Sequence, residues 1–155
     1  MVNITKDNFS IRQICESGQC FRLKKLEEVD ARQKEKAEKG LAGEKYALTA
    51  LGRYLEIEQR ENQLFFDCTL EEFEGIWRRY FDLEEDYGKI INMIDPKDTY
   101  LIKAASYGSG IRILRQDLWE MIISFIVSQQ NNIVRIRKCI ENLCQKYGEE
   151  KRLKD

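Results

Sequence analysis

The chain has 155 residues, enough for one well-filled core or two small lobes, and its 26 basic and 27 acidic residues leave a net charge of -1. No global basic field therefore advertises nucleic acid, and any contact with DNA must come from a local patch. Five cysteines without a C-x-x-C pair, and no histidine, exclude the usual Cys/His zinc site, and no metal or other cofactor is expected; the odd cysteine count without a signal peptide points to reduced thiols and a cytoplasmic location, and no run is long enough to span a bilayer.

Residues 2 to 16 read as a short strand and then a turn of helix, with Phe9, Ile11 and Ile14 as the apolar steps. Ser17-Gly18 punctuates the chain, and Gln19 to Leu26 is predicted as a strand because Phe21 and Leu23 alternate with Cys20 and Arg22. Residues 27 to 44 are charged and Ala-rich, with too little apolar surface to pack, and read as a loop between two strands. Tyr46 to Gln59 and Gln63 to Cys68 follow as strands joined at Arg60-Glu61-Asn62. Arg53, Leu55 and Ile57 face one way and Tyr54, Glu56 and Glu58 the other, the pattern of an antiparallel sheet with one wet face.

Helices take over at Thr69, where T-L-E-E forms a capping box with Glu72, and Phe73, Ile76, Trp77 and Tyr80 line one face. A second helix is predicted from Glu84 to Ile94, burying Tyr87, Ile90, Ile91 and Ile94 and ended by Asp95-Pro96; a third runs from about Asp98 to Tyr107. Gly108-Ser109-Gly110 then breaks the chain. The last helix begins at Ile133 and buries Ile133, Ile136, Ile140, Leu143, Cys144 and Tyr147, with Gly148 as its stop and a frayed tail from residue 149. Strands followed by helices give an α+β fold: an antiparallel sheet with flanking helices, then the first helices of a helical lobe.

The chain is organised around residues 110 to 137, GIRILRQDLWEMIISFIVSQQNNIVRIR. From Leu118 to Val127 the helix is apolar nearly all round and so reads as a central core helix. It stops at Gln129-Gln130-Asn131-Asn132, and Asn132 is a good N-cap for the helix that restarts at Ile133. Two readings of this break stand. One is a plain helix–helix turn, which composition favours. The other is a polar cluster in which amides, helix N-H groups and the Arg135 guanidinium suit base edges and phosphate oxygens.

These residues also carry a resemblance. G-I-R-I-L-R-Q-D, then S-F-I, then S-Q-Q-N-N-I-V-R-I resembles the corresponding segment of the 8-oxoguanine DNA glycosylases, as do Ser17-Gly18-Gln19-Cys20-Phe21-Arg22 and Tyr80-Phe81-Asp82-Leu83. Four motifs in the family's order cover most of the chain outside roughly residues 27 to 45. Leu23 and Leu118 depart from that pattern, standing where Trp and Pro are usual.

The resemblance implies a sheet-plus-helices domain similar to the TATA-binding protein over residues 1 to 107, followed by the start of a helical glycosylase domain over residues 108 to 155. It also implies base-excision repair of 8-oxoguanine in duplex DNA by a glycosylase/AP lyase that extrudes the base. Gly18 matches the glycine whose carbonyl accepts the N7 hydrogen of 8-oxoguanine. Arg135 matches the arginine facing the estranged cytosine, and Gln130 stands where the family has the asparagine that fills the vacated space. Asn131 and Asn132 either contact the estranged base or only cap the turn. Arg112 and Arg115 read as structural ion-pair partners. The family's helix-hairpin-helix and Schiff-base lysine match nothing in these residues, so the chain reads as the N-terminal half and is expected to be inactive alone. The exposed part of the helix over residues 118 to 127 would then seek the missing half or a second copy. The alternatives are a non-catalytic DNA- or protein-binding module derived from the same lobe, or a purely structural interaction domain.

Overall fold

Alternation of apolar and polar residues builds the sheet of the computed structural model, which describes residues 1–26 and 43–150. The loop expected over residues 27–44 thus lies, except for its last two residues, outside the described residues, as does the tail beyond Glu150. Strands β1 (Val2–Thr5), β2 (Leu23–Lys25), β3 (Glu44–Ala50), β4 (Arg53–Arg60) and β5 (Gln63–Phe66) form one antiparallel sheet in the order β1-β5-β4-β3-β2. The register sets Leu48 between Leu23 and Leu55, and Ile57 between Tyr46 and Phe66. All six are buried on one face, whereas Glu56 and Glu58 alternate with them onto the other.

Two strand expectations are corrected. Tyr46 to Gln59 is not continuous, because Leu51 (φ 51°) and Gly52 (φ 70°) are both left-handed and form the two-residue turn between β3 and β4. Leu51 shares the parity of Leu55 and Ile57 rather than that of Tyr46, Leu48 and Ala50, so an apolar residue masked the change of phase at a turn whose usual signal is Asn-Gly. Nor does a strand begin at Gln19; pairing with β3 starts at Leu23, since the polar groups of Gln19 are held by a distant segment described below.

Helix α1 (Ile11–Glu16) is capped by Ser10, whose hydroxyl accepts from the Gln13 N–H at 3.2 Å, and it sends Ile11, Ile14 and Cys15 into the core. The helical stretch α2, residues 70–80, starts at Thr69, whose hydroxyl accepts from the Glu72 N–H at 3.1 Å. The other half of the expected capping box is replaced: the Glu72 carboxylate accepts from Trp77 Nε1 at 3.0 Å. Phe73–Trp77 within α2 is a π-helical turn. Phe73, Tyr80 and Phe81 pack edge-to-face with one another's neighbours Phe9, Phe66 and Trp77, at centroid separations of 5.0–5.9 Å, and this aromatic layer seals α2 onto the sheet.

The remaining helices are α3 (Tyr87–Asn92), α4 (Thr99–Tyr107), α5 (Leu118–Ser128) and α6 (Ile133–Tyr147). Their positions follow the sequence, but much of their expected burial does not occur. No residue of α3 or α4 is buried, and Ile90 is exposed. Helix α6 buries Ile136 and Ile140, while Ile133, Leu143 and Tyr147 remain exposed. The reading of α5 as a central core helix is also corrected. Only Glu120, Ile123, Ser124, Val127 and Ser128, spaced i, i+3, i+4, i+7 and i+8, are partly covered; Trp119 is 69 % and Phe125 66 % exposed. The expected exposed apolar patch is therefore present. Among the described residues no helix is long and apolar enough to cross a membrane, and no group of His, Cys, Asp and Glu side chains could hold a metal ion.

Candidate nucleic-acid interface

Residues 110–117 have no regular secondary structure, and their polar groups fasten the helices to the sheet lobe. The Gly110 carbonyl accepts from Ser10 N–H, the Gly110 N–H donates to Gln13 Oε1, and the Arg115 N–H donates to the Tyr80 carbonyl, each at 2.8 Å. A Cβ on Gly110 would stand 2.4 Å from the Cβ of Ser10, so only glycine allows this approach. Arg112 is 0 % exposed. Its guanidinium donates to the carbonyls of Asn8 at 3.0 Å, Asp82 at 2.7 Å and Glu85 at 2.6 Å, and lies 4.1 Å from the centre of the Tyr87 ring. The expected ion-pair role is thus corrected for Arg112, which is held by carbonyls because its neighbours Asn8 and Asp82 are left-handed and turn those groups inward. It holds for Arg115, 3.2 Å from Asp82 Oδ1.

Gly18 occupies a left-handed turn at φ +78°, where an added Cβ would meet no atom within 4 Å. The glycine is needed for its backbone conformation rather than for lack of space. The turn is braced on its C-terminal side by glutamines the sequence analysis did not single out. Gln19 Nε2 donates to the Arg112 carbonyl at 3.0 Å and to Ser17 Oγ at 3.1 Å, and Gln19 Oε1 accepts from the Leu114 N–H at 3.1 Å. The Gln19 carbonyl in turn accepts from Gln116 Nε2 at 2.7 Å. Gln19 and Gln116 both lie in the quoted motifs, but nothing in their spacing announces that the two meet across 97 positions.

At the break between α5 and α6 the four amides divide into two kinds. Gln129 Nε2 donates back to the Phe125 carbonyl and Asn131 Nδ2 to the Val127 carbonyl, both at 3.1 Å. Asn131 Oδ1 accepts from the Asn132 N–H at 2.9 Å, and Asn132 Oδ1 accepts from the Arg135 N–H at 3.0 Å as the N-cap of α6. Three of the amides therefore build the turn. Gln130 sits at its apex with φ +49°, a strained value for a residue with a side chain. Its exposed amide and the exposed Arg135 guanidinium have no hydrogen bond or ion pair among the described residues.

The glycine turn and the amide break lie on adjoining elements. Arg137, two residues beyond Arg135, donates from Nη2 to the Cys15 carbonyl at 3.3 Å, three residues before Gly18. Lys24 also pairs with Glu141 at 2.9 Å, and Arg22 stands 3.9 Å from Glu120, tying β2 to α6 and α5. Burial raises the thiol pKa values of Cys15 and Cys20, so neither is an activated nucleophile. Burial likewise raises the carboxyl pKa of Glu120, partly offset by Arg22. The arrangement can offer a carbonyl, an amide and a guanidinium to a ligand, and it contains no group poised for covalent chemistry.

An antiparallel sheet with helices, an α+β fold, is shared with the N-terminal domains of solved 8-oxoguanine glycosylase structures. The chain is a member of the 8-oxoguanine DNA glycosylase family, whose N-terminal domain matches residues 1–122. It is 31 % identical over 150 residues to the N-glycosylase/DNA lyase of Saccharomyces cerevisiae, covering 94 % of this chain and 38 % of that protein. The solved structure of MBOgg1 in complex with a low-affinity DNA ligand superimposes with a TM-score of 0.80 at 38 % identity, over 98 % of this chain and 48 % of that one. The apo 8-oxoguanine glycosylase/lyase of Clostridium acetobutylicum gives 0.77 at 34 % identity, over 96 % and 47 %. The same enzyme bound to double-stranded DNA containing cytosine opposite 8-oxoguanine gives the same TM-score and identity. The chain thus spans less than half the length of these relatives.

Proposed function

We propose that this chain supplies the lesion-reading lobe for base-excision repair of 8-oxoguanine in duplex DNA. Family membership supports the reaction class, and the observation that carries the residue assignment is the division of labour at the break. Asn131 and Asn132 are used to shape the turn, which leaves the Gln130 and Arg135 side chains without a partner among the described residues. In this reading the damaged base is extruded from the stack. Arg135 donates to the acceptor edge of the cytosine left behind, and Gln130 occupies the vacated space. The Gly18 carbonyl accepts the N7 hydrogen that distinguishes 8-oxoguanine from guanine. Asn131 and Asn132 act on DNA only through the turn they hold.

Glycosidic cleavage and strand scission belong, in this proposal, to the portion of the relatives that the 155 residues do not span, and the apolar side of α5 is the surface that portion covers. The 155-residue chain alone then leaves 8-oxoguanine uncleaved and forms no borohydride-trapped adduct. The deciding experiment compares binding of duplexes carrying 8-oxoguanine or guanine opposite cytosine. Tighter binding to the lesion that is lost in Gly18→Ala supports the reading, and equal affinity for the two duplexes overturns it. A second reading, self-association through α5, is favoured by the exposure of Trp119 and Phe125; sedimentation shows it as a dimer.

A further inference from the structure

The turn that carries Gly18 is held by near neighbours at Ser17, whose hydroxyl donates to the Ile14 carbonyl and accepts from Gln19. Beyond Gly18, the polar groups of Gln19 close onto residues 112–116, nearly a hundred positions away. Gln19 spends both ends of its side-chain amide there, donating to the Arg112 carbonyl at 3.0 Å and accepting from the Leu114 N–H at 3.1 Å. Gln116 returns a donor to the Gln19 backbone carbonyl at 2.7 Å. The Gly18–Gln19 peptide plane contains the Gly18 carbonyl, so whatever fixes Gln19 fixes where that carbonyl points. Glycine at φ +78° with open space around it would otherwise be free to rotate.

We propose that Gln19 and Gln116 are positioning residues that aim the Gly18 carbonyl, and that through them residues 112–116 set the selectivity for the oxidised base. This rests on the reading of Gly18 given above. The geometry also explains why the segment reaching this turn must itself be rigid: its Arg112 is locked on three carbonyls, so the acceptor for Gln19 cannot drift. A single hydrogen bond to the lesion discriminates only while donor and acceptor stay within reach and in line. A carbonyl left to wander would accept from solvent instead.

The test uses Gln116→Glu, which keeps the side chain's size but sets a carboxylate oxygen against the Gln19 carbonyl. Gln19→Glu keeps the acceptor for Leu114 and removes the donor to Arg112. Ser17→Ala, the mildest change, removes the acceptor that Gln19 Nε2 shares and the hydroxyl's bond to the Ile14 carbonyl, and it serves if the others fail to fold. For each, affinity is measured for duplexes with 8-oxoguanine or guanine opposite cytosine, together with hydrogen exchange of the Leu114 amide. The expected result is a lesion-to-guanine affinity ratio reduced roughly five- to ten-fold in the two glutamate variants, as for loss of one hydrogen bond. Affinity for the undamaged duplex stays within about two-fold, since phosphate contacts are untouched. A purely structural role would lower stability and leave the ratio of the folded protein unchanged. Folded variants that keep the wild-type ratio overturn the positioning role while Gly18 stands. A wild-type chain without any preference overturns the reading of Gly18 and this role with it. Faster Leu114 exchange in Gln116→Glu, where Gln19 loses its anchor, with a reduced ratio supports both.

Discussion

Replacing Arg112 by methionine removes a fully buried guanidinium and leaves behind the three carbonyls it serves, at Asn8, Asp82 and Glu85. Burying the cation has its own cost: burial lowers the guanidinium's pKa from its ordinary value, the Tyr87 ring and nearby Asp82 and Glu85 oppose that shift, and Nε has no partner. Exchanging a whole buried ion pair for apolar residues is often neutral, but here only one side would be exchanged. The carbonyls cannot be replaced, and each unsatisfied one costs about 1–3 kcal/mol. Recovered desolvation offsets part of that, and the lost contact with Tyr87 adds about 1 kcal/mol. The net expectation is about 3–5 kcal/mol, comparable to the loss when one partner of a buried charge pair is removed. That is a large share of the roughly 5–15 kcal/mol by which a domain is stable. Urea denaturation followed by circular dichroism measures it. Arg112→Lys keeps the charge without the planar fork and falls between the two. Arg115→Ala, whose pair with Asp82 is exposed on the arginine side, costs less than about 1 kcal/mol. An Arg112→Met loss of under about 1 kcal/mol would refute the claim that carbonyl capture by Arg112 holds its segment against the turns at Asn8 and Asp82–Glu85.

Four further outcomes are expected. Asn132→Ala removes the N-cap of α6 and lowers stability by about 1 kcal/mol in the same denaturation assay, without altering the end of α5. Glu120→Gln tests the buried carboxyl. Because its folded pKa is raised, the folded state binds the proton more tightly, so stability is greatest below the ordinary glutamate value and is lost as pH rises through the folded one. The glutamine variant therefore melts higher than wild type at neutral pH, and the gap closes below about pH 4. Phe125→Lys changes stability by less than about 0.5 kcal/mol because the ring is already in water, while reducing any concentration-dependent sedimentation. Arg135→Ala weakens duplex binding by about 1–3 kcal/mol at fixed salt, and an unchanged affinity in titration would remove Arg135 from the interface.

How far the sequence reached differs from element to element. The α6 cap was legible because Asn132 bonds locally, to a group three residues away. The Thr69 hydroxyl was legible for the same reason, whereas Glu72 turned to Trp77 five residues on, where burial of an indole N–H demanded an acceptor. The β3–β4 turn was missed because Leu51 is apolar and anticipates the phase of Leu55 and Ile57, masking the change of parity after Ala50. Leu-Gly in a left-handed turn becomes evident only once the two strands are paired in register. Burial of α3, α5 and α6 was overstated because periodicity reports which side of a helix is apolar, not whether anything covers it.

At the candidate site the same distinction holds. Gly18, Gln130, Asn131, Asn132 and Arg135 were named as candidates from the resemblance of their motifs, whereas the α+β class followed from strand-type and helix-type periodicities. Those periodicities are short-range properties, set by neighbours within a turn or a pleat, and the sequence by itself determined them. It could not determine that the Gln130 and Arg135 side chains are left without a partner among the described residues, nor that Gln19 closes onto Arg112, Leu114 and Gln116. Such assignments depend on which hydrogen-bonding groups arrive beside one another after the sheet has formed and residues 110–117 have been laid against it. A buried donor takes whichever acceptor the fold brings within reach, and only the tertiary structure decides that.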